Sequence, residues 1–190
     1  MPGFYFSISL LIAHFLVTGF LRFNKEARSL KKTESDNGTT TKLNLTLLIT
    51  LICVIASYFL NKMDFLMINS QLSFFVGLVL AVFGFLFRII ATFTLREYYT
   101  THLKIQENQK VITHGVYRYI RNPGYLGSMS LLIGCGLLTG NLISILINIT
   151  IVPYSFVTRL LTEEQMLIQS FGDDYKTYMG KSYRLIPFIY

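Results

Sequence analysis

The feature that most constrains this chain is a series of apolar blocks, each about as long as a bilayer is thick, separated by polar stretches. The first runs from about Phe4 to Leu21; its eighteen residues span about 27 Å as an α-helix, enough to cross a membrane with little tilt. A second runs from Leu43 to about Leu60, and a third from Leu72 to Leu95 with Arg88 inside it. Pro123 then opens thirty-nine mostly apolar residues reaching Leu161. That is too long for one span and suits two. Gly-rich spacing and the turn sequence Thr139-Gly140-Asn141 divide it into a helical hairpin, 123–138 and 142–161, with Pro153 as a kink point in the second arm. Composition agrees: 14% of residues are charged, against about 25% in an average soluble domain. The expected fold is all-α, a polytopic membrane protein with about five transmembrane helices. A cleaved signal peptide would need a basic start and a small-x-small cleavage site. No charge precedes Arg22 and that pattern is absent, so the first block reads as a retained helix.

Basic residues set the orientation. Segment 22–42 carries Arg22, Lys25, Arg28, Lys31, Lys32 and Lys42, and segment 96–122 carries Arg96, Lys104, Lys110, Arg118 and Arg121. The tail carries Arg159, Lys176, Lys181 and Arg184, while the turn at 61–69 holds only Lys62 and the turn at 139–141 none. Positive charge marks the cytoplasmic side. The N-terminus is therefore expected outside, with loop 22–42, segment 96–122 and the C-terminal tail in the cytoplasm, most simply in the cell membrane. The net charge of +7 flanks apolar blocks, which suits anionic lipid headgroups rather than nucleic acid. Two regions are expected: residues 1–95, three N-terminal helices with the polar loop 22–42, and residues 96–190, comprising a cytoplasmic segment, the hairpin 123–161 and a C-terminal helix. Cys53 and Cys135 lie in apolar blocks and read as small buried hydrophobes; no metal set is implied. The sequons at Asn37, Asn44 and Asn148 read as unused, and Arg88 as a snorkelling side chain. Gly127, Ser128, Ser130, Gly134 and Gly136 give the fourth helix a small face for close packing.

Two segments combine residue types able to do chemistry. One is Gln109–Tyr125, dense in Tyr, Arg, Gly and Pro at a membrane boundary. The other is Arg159–Tyr178. Thr162 and Gln165 make a capping-box pattern, and Met166, Leu167, Phe171, Tyr175 and Tyr178 an apolar stripe at helical spacing. This predicts an amphipathic helix lying on the cytoplasmic surface. Arg159 and Glu163, four apart, share a face of a continuous helix. The ionisable groups gather at one membrane face, unlike a transporter with polar groups at mid-bilayer in several helices.

Both segments resemble the isoprenylcysteine carboxyl methyltransferase family and its wider relatives, which include phospholipid N-methyltransferases. The first carries Gly115, Tyr117, Arg121, Asn122, Pro123 and Tyr125 in a G-x-Y-x-x-x-R-[HN]-P-x-Y run. The second carries Arg159, Glu163, Glu164, Phe171, Gly172, Tyr175, Tyr178, Arg184 and Pro187. The likeness covers about residues 96–190 and leaves the first two helices with little family signal.

The resemblance implies S-adenosylmethionine as methyl donor. It assigns His102 and Gln109 to cofactor-contacting positions, with Lys110, Val111 and Ile112 lining the adenine. It implies hydroxyls from Tyr117 and Tyr125, whose rings suit a sulfonium. Asn122 and the helix start at Pro123 and Gly124 suit the carboxylate, since helix N-termini favour anions, and Glu163 suits the ammonium. Arg159 falls on the family's substrate-orienting arginine. Where the family most often has His, this chain has Asn122, which donates a hydrogen bond without a titrating charge. An ionised carboxylate acceptor needs no general base but does need a cation to orient it, and the arginine fork suits that role. The expectation is O-methylation of a lipidic or prenylated carboxylate. The alternatives are N-methylation of an ethanolamine-type phospholipid, which would require a base, or a non-catalytic membrane scaffold or transporter subunit.

Overall fold

In a computed structural model, residues 2–22, 38–68, 70–95 and 111–189 are described. They form α1 (Pro2–Arg22), α2 (Thr39–Lys62), α3 (Gln71–Leu95), a 3-10 turn (Gly115–Arg118), α4 (Pro123–Leu138), α5 (Leu142–Phe171) and α6 (Asp173–Met179). The apolar blocks become helices because a backbone in lipid must satisfy its own hydrogen bonds. Of the five expected spans, α2, α3 and α5 are long and apolar enough to cross a membrane. Pro2–Val17 of α1 and all of α4 are apolar but shorter.

The side chains are arranged inside out. The buried residues of α2 are Thr39, Thr46, Thr50, Val54, Ser57 and Asn61, while Leu45, Leu48, Ile52, Ile55 and Phe59 are exposed. In water this would waste the hydrophobic effect; in lipid it places polar groups where they find partners. Thr46 donates to Ser155 Oγ at 2.6 Å and Thr50 to Asn148 Oδ1 at 2.7 Å, joining α2 to α5. Asn148 is 1% exposed, so its sequon is sealed in the bundle.

Of the small residues expected to form one face of α4, Gly127, Ser130 and Gly134 pack on α3, while Gly136 meets Asn148 of α5. Gly77 and Gly84 of α3 meet Gly134 and Gly127 of the antiparallel α4 at backbone distance. A Cβ on Gly127 would lie 2.6 Å from the Arg88 backbone nitrogen and 2.8 Å from the Gly84 carbonyl oxygen. Backbone atoms cannot move aside as a flexible side chain can. Gly127→Ala is therefore expected to push the helices apart and cost about 1–3 kcal/mol. A lowered thermal midpoint in detergent would show it; an unchanged midpoint would refute this packing.

At the turn between α4 and α5, Gly140 takes φ +61° and Asn141 caps α5 by accepting from Ile143 N–H at 3.1 Å. The Asn141 amide also donates to Asn61 Oδ1 and to the Phe65 carbonyl, both at 2.9 Å, fastening the 63–68 loop. The C-terminal half differs from the sequence expectation. There is no separate amphipathic helix over 159–178: α5 runs thirty residues without interruption, about 45 Å, past the expected end at Leu161. Thr162 is therefore inside a helix, donating to the Thr158 carbonyl at 3.0 Å, and does not cap one. Gly172, at φ +54°, breaks the chain before α6. Propagating an existing helix is cheaper than nucleating a new one, which favours continuation until glycine ends it.

Candidate active site

Pro123 starts α4 at its first position, where the missing N–H costs nothing. Upstream, Gly115 has φ +60°, and a Cβ there would also sit 3.1 Å from Thr94 Cγ2. This glycine lets the 3-10 turn bring Tyr117, Arg121 and Asn122 to the end of the bundle. The C-terminal tail clamps the same segment: Arg121 N–H donates to the Tyr183 carbonyl and Tyr183 N–H to the Tyr119 carbonyl, each at 2.8 Å. The Tyr178 hydroxyl donates to the Tyr117 carbonyl at 2.5 Å.

A buried ionic latch holds these pieces together. Glu164 on α5 has a side chain 4% exposed, and its carboxylate takes Arg121 Nε at 3.0 Å and Arg184 Nε at 2.8 Å. Asn122 Nδ2 donates to the same carboxylate at 3.2 Å and to the Arg184 carbonyl at 3.1 Å. Arg121 Nη1 donates to the carbonyls of Met179, at 3.0 Å, and of Ser182. One anion between two guanidiniums repays its desolvation only because its oxygens are bonded this fully.

Beside the latch is a second cluster. The Tyr125 hydroxyl donates to Glu163 Oε2 and faces Arg159 Nε at a long 3.4 Å. Arg159 is 3% exposed. Its Nη1 donates to Thr39 Oγ1 at 2.9 Å and Thr40 Oγ1 at 2.8 Å. Because α5 is continuous, Arg159 and Glu163 do share one face, with Tyr125 between them. At the first turn of α4, a Cβ on Gly124 would lie 2.8 Å from Arg88 Nη1. Arg88 thus reaches across to α4, beyond the snorkelling expected of it.

Among the expected site residues, Tyr117, Asn122, Pro123, Gly124, Tyr125, Arg159 and Glu163 meet at this one end of the bundle. Val111 and Ile112 are half-buried on the approach to the turn. His102, Gln109 and Lys110 lie outside the described residues. The sequence reading gave no pairing to Glu164, Arg121 or Arg184, although all three stand in the motifs; only tertiary folding shows that they bond. Thr39 and Thr40 carried no signal at all.

Burial raises the hydroxyl of Tyr178 to about 12, partly offset by its hydrogen bond with Ser182 and by Arg121. Burial, then Glu164 and Glu163, also pushes Tyr175 well up. A raised folded-state value favours the protonated phenol, so this contribution is whole below the unfolded value of about 10. It is lost as pH climbs toward 12. Across pH 10–12 the thermal midpoint should fall more steeply for the native chain than for Tyr178→Phe; parallel slopes would remove Tyr178 as the cause.

A family model described as "Phospholipid methyltransferase" matches residues 72–174, which takes in α3, α4 and all of α5. A probable protein-S-isoprenylcysteine O-methyltransferase of Oryza sativa subsp. indica is 34% identical over 117 residues, covering 60% of this chain and 61% of the rice protein. The protein-S-isoprenylcysteine O-methyltransferase of Schizosaccharomyces pombe is 35% identical over 86 residues, covering 45% of this chain and 36% of that protein. The chain thus spans less than two thirds of the length of these curated relatives. A solved eukaryotic intramembrane Ras methyltransferase, an isoprenylcysteine carboxyl methyltransferase, superposes with a TM-score of 0.63 at 24% identity. That match covers 78% of this chain and 53% of the other, and it shows a shared helical membrane fold. With a family match over more than half its length and both motif runs meeting at one end of the bundle, this chain belongs to the phospholipid methyltransferase family and is similar to the isoprenylcysteine O-methyltransferases.

Proposed function

We propose that this chain is an integral membrane, S-adenosylmethionine-dependent carboxyl O-methyltransferase whose acceptor is a lipidic, isoprenylcysteine-like carboxylate. The observation that carries this reading is Arg159. It is a cation only 3% exposed, about 26 Å along α5 from its start, with Thr39, Thr40 and Tyr125 hydroxyls around its guanidinium. An ionisable group at that depth is retained for a partner of opposite charge or for function.

The described residues fit the charges of S-adenosylmethionine. The Glu163 carboxylate suits its ammonium. The side-chain-free first turn at Gly124, beside Arg88 Nη1, suits its carboxylate, because helix N-termini attract anions. Val111 and Ile112 offer apolar atoms for its adenine; His102, Gln109 and Lys110, outside the described residues, are further contacts by family resemblance alone. When bound, the cofactor supplies a methyl group already activated by its sulfonium. The chain then has little bond chemistry to do: it positions and excludes water. Arg159 orients the acceptor carboxylate, which is ionised at neutral pH, so no proton has to be removed. Tyr125, bonded to Glu163 and facing Arg159, stands between the acceptor side and the cofactor side. Residues 96–190 form the catalytic region, the site faces the cytoplasm, and the N-terminus lies outside. The acceptor tail enters between helices from the lipid.

The description of the matching family model favours one second reading, N-methylation of a phospholipid amine. Purified chain in nanodiscs, given labelled donor and either a prenylated cysteine or an ethanolamine phospholipid, separates the two. Methyl ester from the prenylated cysteine is the expected product. Label only in the phospholipid would transfer the assignment to the second reading, and absence of S-adenosylhomocysteine binding by calorimetry would end the enzyme reading altogether.

A further inference from the structure

The family match begins at residue 72, leaving α1 and α2 outside it. Yet the first turn of α2 reaches the candidate site. Thr39 is 3% exposed, and Gly38, at φ +71°, precedes it in a left-handed conformation that glycine adopts at little cost. Thr39 and Thr40 then both accept from Nη1 of Arg159, 120 and 119 residues away in sequence, at 2.9 and 2.8 Å. Hydroxyls at the start of a helix usually serve their own backbone N–H groups. Here two successive ones converge on a single guanidinium nitrogen.

We propose that Thr39 and Thr40 are positioning residues for Arg159: the α2 N-terminus fixes the plane and rotation of the guanidinium that receives the acceptor carboxylate. This rests on the proposed role of Arg159 in orienting the acceptor. The physical reason is geometric. An arginine side chain has several freely rotating bonds, and bidentate recognition of a carboxylate needs its planar fork held in one orientation. Tyr125 touches Nε at 3.4 Å, too long to fix that plane alone. The two threonines hold the Nη1 edge of the guanidinium from outside the family region. Acceptor selectivity can therefore vary through α2 while the motifs of α4 and α5 stay the same.

The test is a mutant cycle in the full chain in nanodiscs, crossing Thr39→Val/Thr40→Val with Arg159→Ala. Acceptor KM and kcat, cofactor affinity and thermal midpoint are read for each. The valine pair alone is expected to lower kcat/KM for a farnesylated cysteine by about 10- to 100-fold, as befits lost hydrogen bonds to a buried charge. Cofactor affinity should stay within about twofold. Thr39→Ser/Thr40→Ser, which keeps both hydroxyls, should restore turnover, and it guards against a folding defect in the valine pair. In the Arg159→Ala background the valine pair should have no further effect on either kcat/KM or midpoint. Additive losses would overturn the positioning role. If the unmutated chain methylates no carboxylate but the midpoints are still non-additive, the positioning contact stands and the carboxylate reading falls instead.

Discussion

Arg159→Ala is expected to lower kcat/KM for a prenylated carboxylate acceptor by about 10²–10³-fold, the loss typical of removing one preorganised charge-stabilising donor. Affinity for S-adenosylhomocysteine should change little, because the proposed cofactor contacts are Glu163, the α4 N-terminus and segment 109–112. The loss should be large because Arg159 is only 3% exposed, and no water reaches in readily to replace its charge. Arg159→Lys should recover only a part of it: an ammonium is a point charge without the fork, and it cannot reach both threonine hydroxyls and an acceptor in one plane. Initial-rate kinetics with labelled donor, beside calorimetry with S-adenosylhomocysteine, checks both halves. Full turnover by Arg159→Ala would remove this residue from acceptor binding.

Glu164→Gln should be the most destabilising single change at this end of the bundle. It withdraws the carboxylate that holds Arg121 Nε at 3.0 Å and Arg184 Nε at 2.8 Å, and leaves Arg121, with a side chain 8% exposed, facing a neutral amide. Breaking a buried ion pair by deleting one partner costs about 3–5 kcal/mol. Arg184 is 25% exposed, so water can recover part of its share and the lower end of that range is expected. The latch joins α5, the segment before α4 and the tail. Cofactor and acceptor affinities should therefore fall together, unlike the selective loss at Arg159. Thermal unfolding in detergent, scored with and without S-adenosylhomocysteine, reads the effect. A midpoint equal to that of the native chain would show that the latch contributes nothing to stability.

The two neighbouring glutamates show how far residue patterns reach. Glu163 and Glu164 look alike in the sequence, and helical spacing relates Arg159 to Glu163. Which partners each carboxylate meets depends on their directions from α5, 100° apart on the helix. Glu164 points at the tail and at Arg121, whereas Glu163 points at Tyr125. The motif tyrosines also differ in their neighbours: the Tyr125 hydroxyl faces Arg159, and the Tyr117 backbone carbonyl accepts from the Tyr178 hydroxyl. Spacing alone also suggested a helix beginning near Thr162. It could not show that α5 was already helical there, since the local pattern is the same for a new helix and a continued one.

By itself the sequence determined what depends on length, composition and local order. It set apolar segments at bilayer length, the Gly140 turn, the proline start of α4 and a small-residue face on that helix. It also held two ordered motif runs that announce a methyltransferase family. Tertiary structure alone decided what depends on meeting across the chain: Gly77 and Gly84 opposite Gly134 and Gly127, one carboxylate between Arg121 and Arg184, and two threonines of α2 on Arg159. The physical reason is range. Helix formation and membrane partition are set by neighbours within a turn or a window, and they leave their period in the sequence. A buried hydrogen bond between residues 39 and 159 leaves no period, because it exists only where packing brings the two helices together.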